Sequence, residues 1–448
     1  MAVTLISNTS FKGDVKSLPI SSAPMPAAAL LYADFINGLY IDRIGGTVSR
    51  TTDINSRINI FRGSHANYID ESGGLAEANN SICVIDRHPQ TLAKLGLRTE
   101  NRVTNYMASP LDFTASTWAK TGVSAAALNG YWYTLTELAG YSQHCLRDTT
   151  TQLSTSNANV ISIFVKPGTA DRIQLAAVGG GAGSYANFDL TRGAVVFTGT
   201  GLLSALIEPG HDNSWRCSIV LNNPPAATAD FRVSFINSDN DVMTPEFTGT
   251  GRTLQVAIAQ AERAMVVPTS PITFVTRSLD VTTLLPDIPA ESKADFSLFI
   301  SGTMPGSPRG DDGGNNLFTL YNATTSEFVS VGQGSRRGNY RYMPLMTHNI
   351  GGAFTPVGFT GKGYESFRQW PLLITVKGGT VKVMCNGADG VQTLMTNAVN
   401  GFEKILLGRG LDSALAATGV WGGCIAKLAF FDKALSDTEM VSQFSALY

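Results

Sequence analysis

The plainest signal along this chain is alternation of apolar and polar residues with a period of two. In Trp215-Arg216-Cys217-Ser218-Ile219-Val220-Leu221 the odd positions are apolar and the even ones mainly polar. A strand there puts Trp215, Cys217, Ile219 and Leu221 on one face. Phe231, Val233 and Phe235 repeat the pattern, as do Leu254, Val256 and Ile258, and later Phe296, Leu298 and Ile300. Each run predicts a half-buried antiparallel strand. Phe328-Val329-Ser330-Val331, Leu372 to Val376 and Val381-Lys382-Val383 add further strands, and Asn386-Gly387 supplies a tight turn. Short strands at such regular spacing predict sandwiches.

A helical pattern occurs near the end of the chain. Ser436-Asp437-Thr438-Glu439 reads as a capping box, and Met440, Val441, Phe444 and Leu447 would then face the core. The clear strand signal starts at Val160, and the proline-punctuated stretch Pro268 to Pro289 divides it into two blocks. Residues 1–32, with Pro19, Pro24 and Pro26, show no sustained period and read as an extended arm that orders against a partner. From Asp34 to Arg102, short apolar groups such as Ile58-Asn59-Ile60-Phe61 and Ile82-Cys83-Val84-Ile85 predict a small irregular β region without a large core of its own.

Length and composition narrow the picture. A chain of 448 residues exceeds the roughly 250–300 at which single cores stop growing, so two or three domains are expected. Charged residues make up 15%, below the roughly 25% usual in soluble proteins, which favours strands and turns over charged helices. A net charge of −2 provides no basic field for nucleic acid or an anionic membrane. The five cysteines, Cys83, Cys145, Cys217, Cys385 and Cys424, have no CxxC spacing and read as buried thiols. Met1 to Ile6 lacks the features of a secretory signal, and no window is apolar enough for a membrane span, so synthesis in a cytoplasm and no membrane insertion are expected.

Glu100-Asn101-Arg102-Val103-Thr104-Asn105-Tyr106, running into Ser109-Pro110-Leu111-Asp112-Phe113 and Trp118, resembles a module junction of bacteriophage virion proteins. The segment before it, with Tyr68-Ile69-Asp70-Glu71-Ser72-Gly73-Gly74-Leu75 and Gly96-Leu97-Arg98-Thr99-Glu100, resembles their connecting region. It departs at Ile85-Asp86-Arg87-His88-Pro89, where relatives carry an Arg-Phe-Asp-Tyr-like step. The motifs Leu135-Thr136-Glu137, Phe164-Val165-Lys166-Pro167-Gly168, Phe188-Asp189-Leu190, Ile207-Glu208-Pro209 and Ala259-Gln260-Ala261-Glu262 are similar to the family's carbohydrate-binding-module-like jelly roll. Gly423 to Glu439 resembles the last strand and capped helix of concanavalin A-like (laminin-G-like) sandwiches.

The resemblance implies an all-β protein: a virion-anchoring arm over 1–32, an irregular β connector over 33–104, a jelly roll over 105–270 and a concanavalin A-like sandwich over 271–448. It further implies a structural protein of the virion surface, a head fibre, decoration protein, tail fibre or spike, made in the host bacterial cytoplasm. Such a protein docks to capsid or tail proteins through its arm, forms a homotrimer and adheres to host-surface glycans. A depolymerase or glycoside hydrolase on the same scaffold, and a purely structural protein, are the alternatives. Trp118, on this reading, is a core or edge residue.

Sugar binding needs an aromatic face and a few orienting polar groups. Tyr131-Trp132-Tyr133 offers one such set, and Tyr340-Arg341-Tyr342 with Arg336, Arg337 and Trp370 a second, although cores and interfaces use the same residue types. Catalysis lacks a comparable signal. Asp34, Asp42, Glu100, Glu137, Asp189, Glu208, Glu262, Asp311, Asp312 and Glu365 form no acid-and-base motif. Glu100 and Glu262, beside Arg102 and Arg263, read as structural ion pairs or turn acceptors, and no enzyme is expected. His65, His88, His144, His211 and His348 lack metal-ligand spacing, and no metal or cofactor is expected. Asp311 to Asn316 reads as a hairpin tip and Gly179 to Gly183 as a turn or bulge; Ser335 is not in a nucleophile elbow.

Overall fold

The computed structural model describes residues 29–43, 46–100 and 102–263, and beyond them 271, 273, 276–277, 281–284, 295–303, 315–322, 324–333, 344–350, 353–358, 369–378, 380–385, 392–395, 402–411, 417–418 and 423–448. Residues 1–28 of the expected arm, Asn386-Gly387, Asp311 to Gly314 and Ser335 lie outside these. The described chain is built from antiparallel strands, with an α-helix at its end.

The middle of the chain forms one sandwich. One six-stranded sheet runs in the order Trp118–Thr121, Cys145–Gln152, Thr228–Phe235, Arg172–Val178, Tyr185–Asp189, Ala194–Thr198. The other runs Val123–Ala127, Trp132–Glu137, Thr253–Arg263, Ala158–Pro167, Ser214–Asn222, Leu202–Gly210. Phe231, Val233 and Phe235 from the first meet Cys217, Ile219, Leu221, Leu254 and Val256 from the second, as the alternation predicts. Burying each such side chain contributes about 1.5–3 kcal/mol. Trp118 is a core residue: its ring lies 5.0 Å from Phe113 and its indole N–H donates to the Ser109 carbonyl at 2.8 Å. Gly179 to Gly183 make the turn between Arg172–Val178 and Tyr185–Asp189.

Two details depart from the pattern. Arg216, Ser218 and Val220 are buried although they point away from the main core, so this strand is covered on both faces. Ile258 does not continue the face of Leu254 and Val256. Pairing with Ala158–Pro167 slips between Ile163 and Phe164, and Ile258 takes φ +42° at the bulge. The extra residue reverses the phase, so Ala259 and Ala261 join the main core while Ile258 packs with Trp132 and Phe164.

The second sandwich is assembled from both ends of the chain. Its ten-stranded sheet has a main path of Ser49–Thr51, Leu39–Asp42, Leu31–Asp34, Cys424–Phe431, Phe296–Thr303, Trp370–Lys377, Thr380–Cys385 and Gln392–Met395. Lys94–Arg98 also pairs with Cys424–Phe431, and Ile85–Arg87 lies beyond it. The facing seven-stranded sheet runs from Ala353–Gly358 through Pro344–Ile350, Phe328–Gln333, Asn315–Tyr321, Lys404–Leu407 and Val281–Leu284 to Ile58–Phe61.

The stretch read as a connector over 33–104 therefore does not stand apart: it supplies strands to both sheets of the C-terminal sandwich. Leu31, counted with the arm, pairs with Phe430, and Ala33 with Leu428, both projecting into the shared core. The physical reason is the exposed edge of Cys424–Phe431, whose unpaired backbone groups and apolar side chains these early strands cover. Gly96 permits the approach: at φ +124° a Cβ would sit 2.0 Å from the Ile425 carbonyl oxygen.

The jelly-roll-like sandwich is thus an insertion into the other. The entering strand Val103–Thr104 pairs with the returning Thr276–Arg277. Asn105 fastens the entry: its amide donates to Ala259 O at 3.0 Å and its carbonyl accepts from Ala261 N at 3.0 Å.

The terminal helix, Asp437–Leu447, carries the capping box, with the Ser436 hydroxyl accepting from Glu439 N and the Glu439 carboxylate accepting from Ser436 N. Met440, Phe444 and Leu447 pack against Phe299, Leu373 and Phe431. Val441 does not face the core as expected; it is 46% exposed, because it stands about 100° round the helix from Met440. Four cysteines are buried free thiols and Cys83 is half-buried. Desolvation pushes the Cys385 thiol up to about 12.

Candidate functional site

The strand Trp132–Glu137 separates the three adjacent aromatic residues. Trp132 is 5% exposed and packs with Phe164, Ala257 and Ile258. Tyr133 takes the opposite face, edge-on to Phe113 at 5.3 Å, with its hydroxyl donating to Asp112 Oδ1 at 3.4 Å. These rings form no common platform, since successive side chains of a strand alternate. Tyr131, just ahead of the strand, lines an open cleft of about 510 Å³.

That cleft lies where the Ala66–Ile69 and Leu75–Ala78 hairpin meets the inserted sandwich. Gly63, Ser64, His65, Glu77, Asn80 and Thr273 face Tyr131 and Leu111 across it. His65 Nδ1 and Glu77 Oε1 are in hydrogen-bond contact. Burial, and then the charge of Glu77, raise the Tyr131 phenol above its ordinary value, keeping it neutral and able to donate. An aromatic ring flanked by hydroxyl, amide, imidazole and carboxylate groups, in a cleft within the roughly 300–1,000 Å³ of small-ligand sites, suits a hydroxylated ligand with an apolar face.

Among the second predicted set, Arg336, Arg337, Tyr340, Arg341 and Tyr342 lie outside the described residues. Trp370 is 2% exposed inside the core of the outer sandwich, so its ring offers no face to a sugar; it begins a strand buried on both sides.

Among the described residues, most of the candidate carboxylates have structural partners. Asp34 accepts from Ile36 N and Asn37 N, Asp42 pairs with Arg57, Glu137 receives Arg252 Nε at 3.0 Å, and Asp189 receives Arg192 Nε at 2.7 Å. Glu100 is ion-paired, though with Arg98 at 3.3 Å. Arg98 also binds Asp86 at 2.8 Å in a fully buried group where desolvation raises the Asp86 carboxyl despite the arginine.

One constellation has no counterpart in the sequence motifs. The strand Leu202–Gly210 ends in a tight turn in which Asp212 adopts φ +54°. Asp212 Oδ2 accepts from His211 Nδ1 at 2.8 Å and from the Trp132 indole N–H at 3.0 Å, and Lys166 Nζ lies 4.0 Å above the Trp132 ring. The His211 hydrogen bond leads in holding the Asp212 carboxyl down at about 2. Asp212 N donates to Gly73 O at 2.8 Å, tying the turn to the outer sandwich's early hairpin. The His-Asp-Asn turn after Ile207-Glu208-Pro209 was the available signal, but its left-handed backbone, which brings the two side chains together, was not legible.

These features define an all-β protein in which one antiparallel sandwich is inserted into another, with a polar, aromatic-floored cleft beside the joint. No family model and no curated protein matches the chain. Among solved structures it is similar to the CBM40 domain of a Ruminococcus gnavus IT-sialidase bound to α2,3-sialyllactose, at 13% identity and TM-score 0.27, over 34% of this chain and 84% of that one. It is also similar to domains LG4-5 of the mouse laminin α1 chain, at 10% identity and TM-score 0.23, over 80% and 96% of the two chains. The LG1-3 region of the laminin α2 chain has 10% identity and TM-score 0.23, over 67% and 66%. Scores this low carry no functional argument. Among the described residues no group of three His, Cys, Asp or Glu side chains is placed to hold a metal, and no helix is long and apolar enough to cross a membrane.

Proposed function

We propose that the chain is a glycan-binding surface protein of a bacteriophage particle and acts by adhesion without cleaving its ligand. The observation that carries the glycan reading is the open cleft of about 510 Å³ in which Tyr131 lies with Ser64, His65, Glu77 and Asn80. The virion assignment rests on the sequence resemblance around Thr104-Asn105 and Ser109 to Phe113. In this reading the N-terminal arm, expected over 1–32, docks to capsid or tail proteins, the sandwiches project from the virion surface, and a homotrimer multiplies weak single-site contacts by avidity.

The test is binding of the full chain and of Tyr131→Ala to capsular and lipopolysaccharide glycans of candidate hosts. Saturable binding, weakened about tenfold by Tyr131→Ala and without released oligosaccharide, supports adhesion at the cleft. Release of oligosaccharide overturns the non-enzymatic reading, and undiminished binding by Tyr131→Ala overturns the site. Cryo-electron microscopy of the particle tests the location.

A further inference from the structure

The tip of the hairpin between Val123–Ala127 and Trp132–Glu137 carries Asn129 followed by Gly130. Two backbone bonds close the turn: Trp132 N donates to Asn129 O at 2.9 Å, and Leu128 N to Trp132 O at 2.9 Å. The reactive atoms of the dipeptide are left unheld. Both residues are exposed, and among the described residues nothing bonds the Asn129 side-chain amide or the Gly130 N–H. Gly130 takes φ +55°, and a Cβ there would meet nothing within 4 Å.

An asparagine side-chain carbon is one ring closure away from the next residue's amide nitrogen, and glycine, without a Cβ, leaves that nitrogen unshielded. Once solvent base removes the Gly130 N–H proton, the nitrogen can attack Asn129 Cγ. The N–Cγ bond forms, the Cγ–Nδ2 bond breaks, and Nδ2 takes up a proton and leaves as ammonia. Water then opens the resulting succinimide at either carbonyl. One opening gives aspartate, the other isoaspartate, in which the main chain runs through Cβ and Cγ. In balance, the amide and one water become a carboxylate and ammonium, with no oxidant or cofactor.

The protein contains its own comparison. Asn37-Gly38 forms the turn between Leu31–Asp34 and Leu39–Asp42, with Gly38 at φ +66° and equally open space around it. There the asparagine is anchored: Asn37 Nδ2 donates to Asp34 Oδ2 at 2.7 Å and Asn37 N to Asp34 Oδ1 at 2.9 Å. Breaking a hydrogen bond to a charged group reduces the population free to react about tenfold or more. The Asp34 carboxylate also opposes the anionic nitrogen that must attack. Asn386-Gly387 and Asn400-Gly401 lie outside the described residues.

We propose that Asn129 is a site of self-modification, converting spontaneously to aspartate and isoaspartate while Asn37 is spared. The product adds a negative charge, and its isoaspartyl form an extra main-chain carbon, to the turn that presents Tyr131 to the cleft. The chemistry does not rest on the glycan reading.

The test is peptide mapping of the full-length protein, fresh and after incubation at mildly alkaline pH, both folded and in urea. Trypsin places the two sites on peptides 121–147 and 17–43, each of which contains one asparagine. In the folded protein, 121–147 should acquire the mass of the acid and split into aspartyl and isoaspartyl forms, told apart by electron-transfer fragmentation, at least about tenfold faster than 17–43. In urea the two should convert at similar rates. Converted protein should exchange the Trp132 amide hydrogen faster, since the Asn129 carbonyl that holds it is displaced. Asn129→Gln, whose longer side chain closes a ring far more slowly, should leave 121–147 unmodified and that amide protected. Folded protein in which 121–147 stays intact, or in which 17–43 converts as fast, overturns the proposal, as does a difference between the two that persists in urea. Unchanged protection of Trp132 after conversion overturns the effect on the turn.

Discussion

Trp132 donates its indole N–H to Asp212 Oδ2 at 3.0 Å, linking the Trp132–Glu137 strand of the inserted sandwich to the turn that carries His211. The tryptophan that reads as part of a sugar platform in the sequence is a buried structural donor. Trp132→Phe keeps most of the apolar volume and removes that donor. It should destabilise the protein by about 1–2 kcal/mol in urea unfolding, whereas Trp132→Ala, which also leaves a cavity among Phe164, Ala257 and Ile258, should cost about 3–5 kcal/mol. A Trp132→Phe protein as stable as the parent would show that the indole N–H contributes nothing.

Arg98 lies between Asp86 at 2.8 Å and Glu100 at 3.3 Å, with all three side chains 6% exposed or less. Removing the cation strands two carboxylates in the interior. Arg98→Met should destabilise the outer sandwich by about 3–5 kcal/mol near neutral pH. Without the arginine, the folded-state pKa of Asp86, already raised by burial, rises further above its unfolded value. Stability is then retained below the unfolded carboxylate range and lost as pH rises, so the deficit should shrink on acidification. Unfolding midpoints of both proteins at several pH values measure this, and a constant deficit would contradict it.

Leu31 pairs with Phe430 and Ala33 with Leu428, which makes the beginning of the chain part of its last strand's sheet. A chain starting at residue 44 loses both the Leu31–Asp34 and Leu39–Asp42 strands and exposes the edge of Cys424–Phe431. Amide hydrogens over 424–431 should exchange markedly faster, and the protein should aggregate more readily, than in a chain starting at residue 29. Unchanged protection over 424–431 would mean that the early strands are dispensable.

Local rules made part of this architecture readable. Phe231, Val233 and Phe235 alternate because one face is buried, and Ser436 with Glu439 caps a helix because the two groups satisfy each other's orphan donors. The Arg98–Glu100 pair was also within reach, since the two residues stand only two apart in the chain. What stayed hidden depends on distance or on backbone geometry. Nothing near Leu31 shows that its partner is Phe430, and nothing in Leu254, Val256 and Ile258 shows that the last residue sits on a bulge at φ +42°. The cleft around Tyr131 draws Gly63, Ser64, His65, Glu77 and Asn80 from the region read as a connector and Thr273 from beyond the inserted sandwich, so its aromatic residue alone stood out as a sugar contact.

Glu208 supplies the pH dependence of the joint. Burial of its carboxyl pushes the pKa up to about 7, and Arg216 opposite only partly offsets this. Because the folded value lies above the unfolded one of 4.5, the folded state binds more protons between the two. The group therefore imposes no penalty below about pH 4.5, weakens the fold as pH rises through that window, and exerts its full cost above about pH 7. Glu208→Gln removes the ionisation while preserving shape and hydrogen bonding. It should match the parent protein in urea at about pH 4 and exceed it by about 1–2 kcal/mol at about pH 8, a figure reduced for the half-buried position of the residue. A difference that does not vary with pH would show that Glu208 ionises as freely in the folded protein as in the unfolded chain.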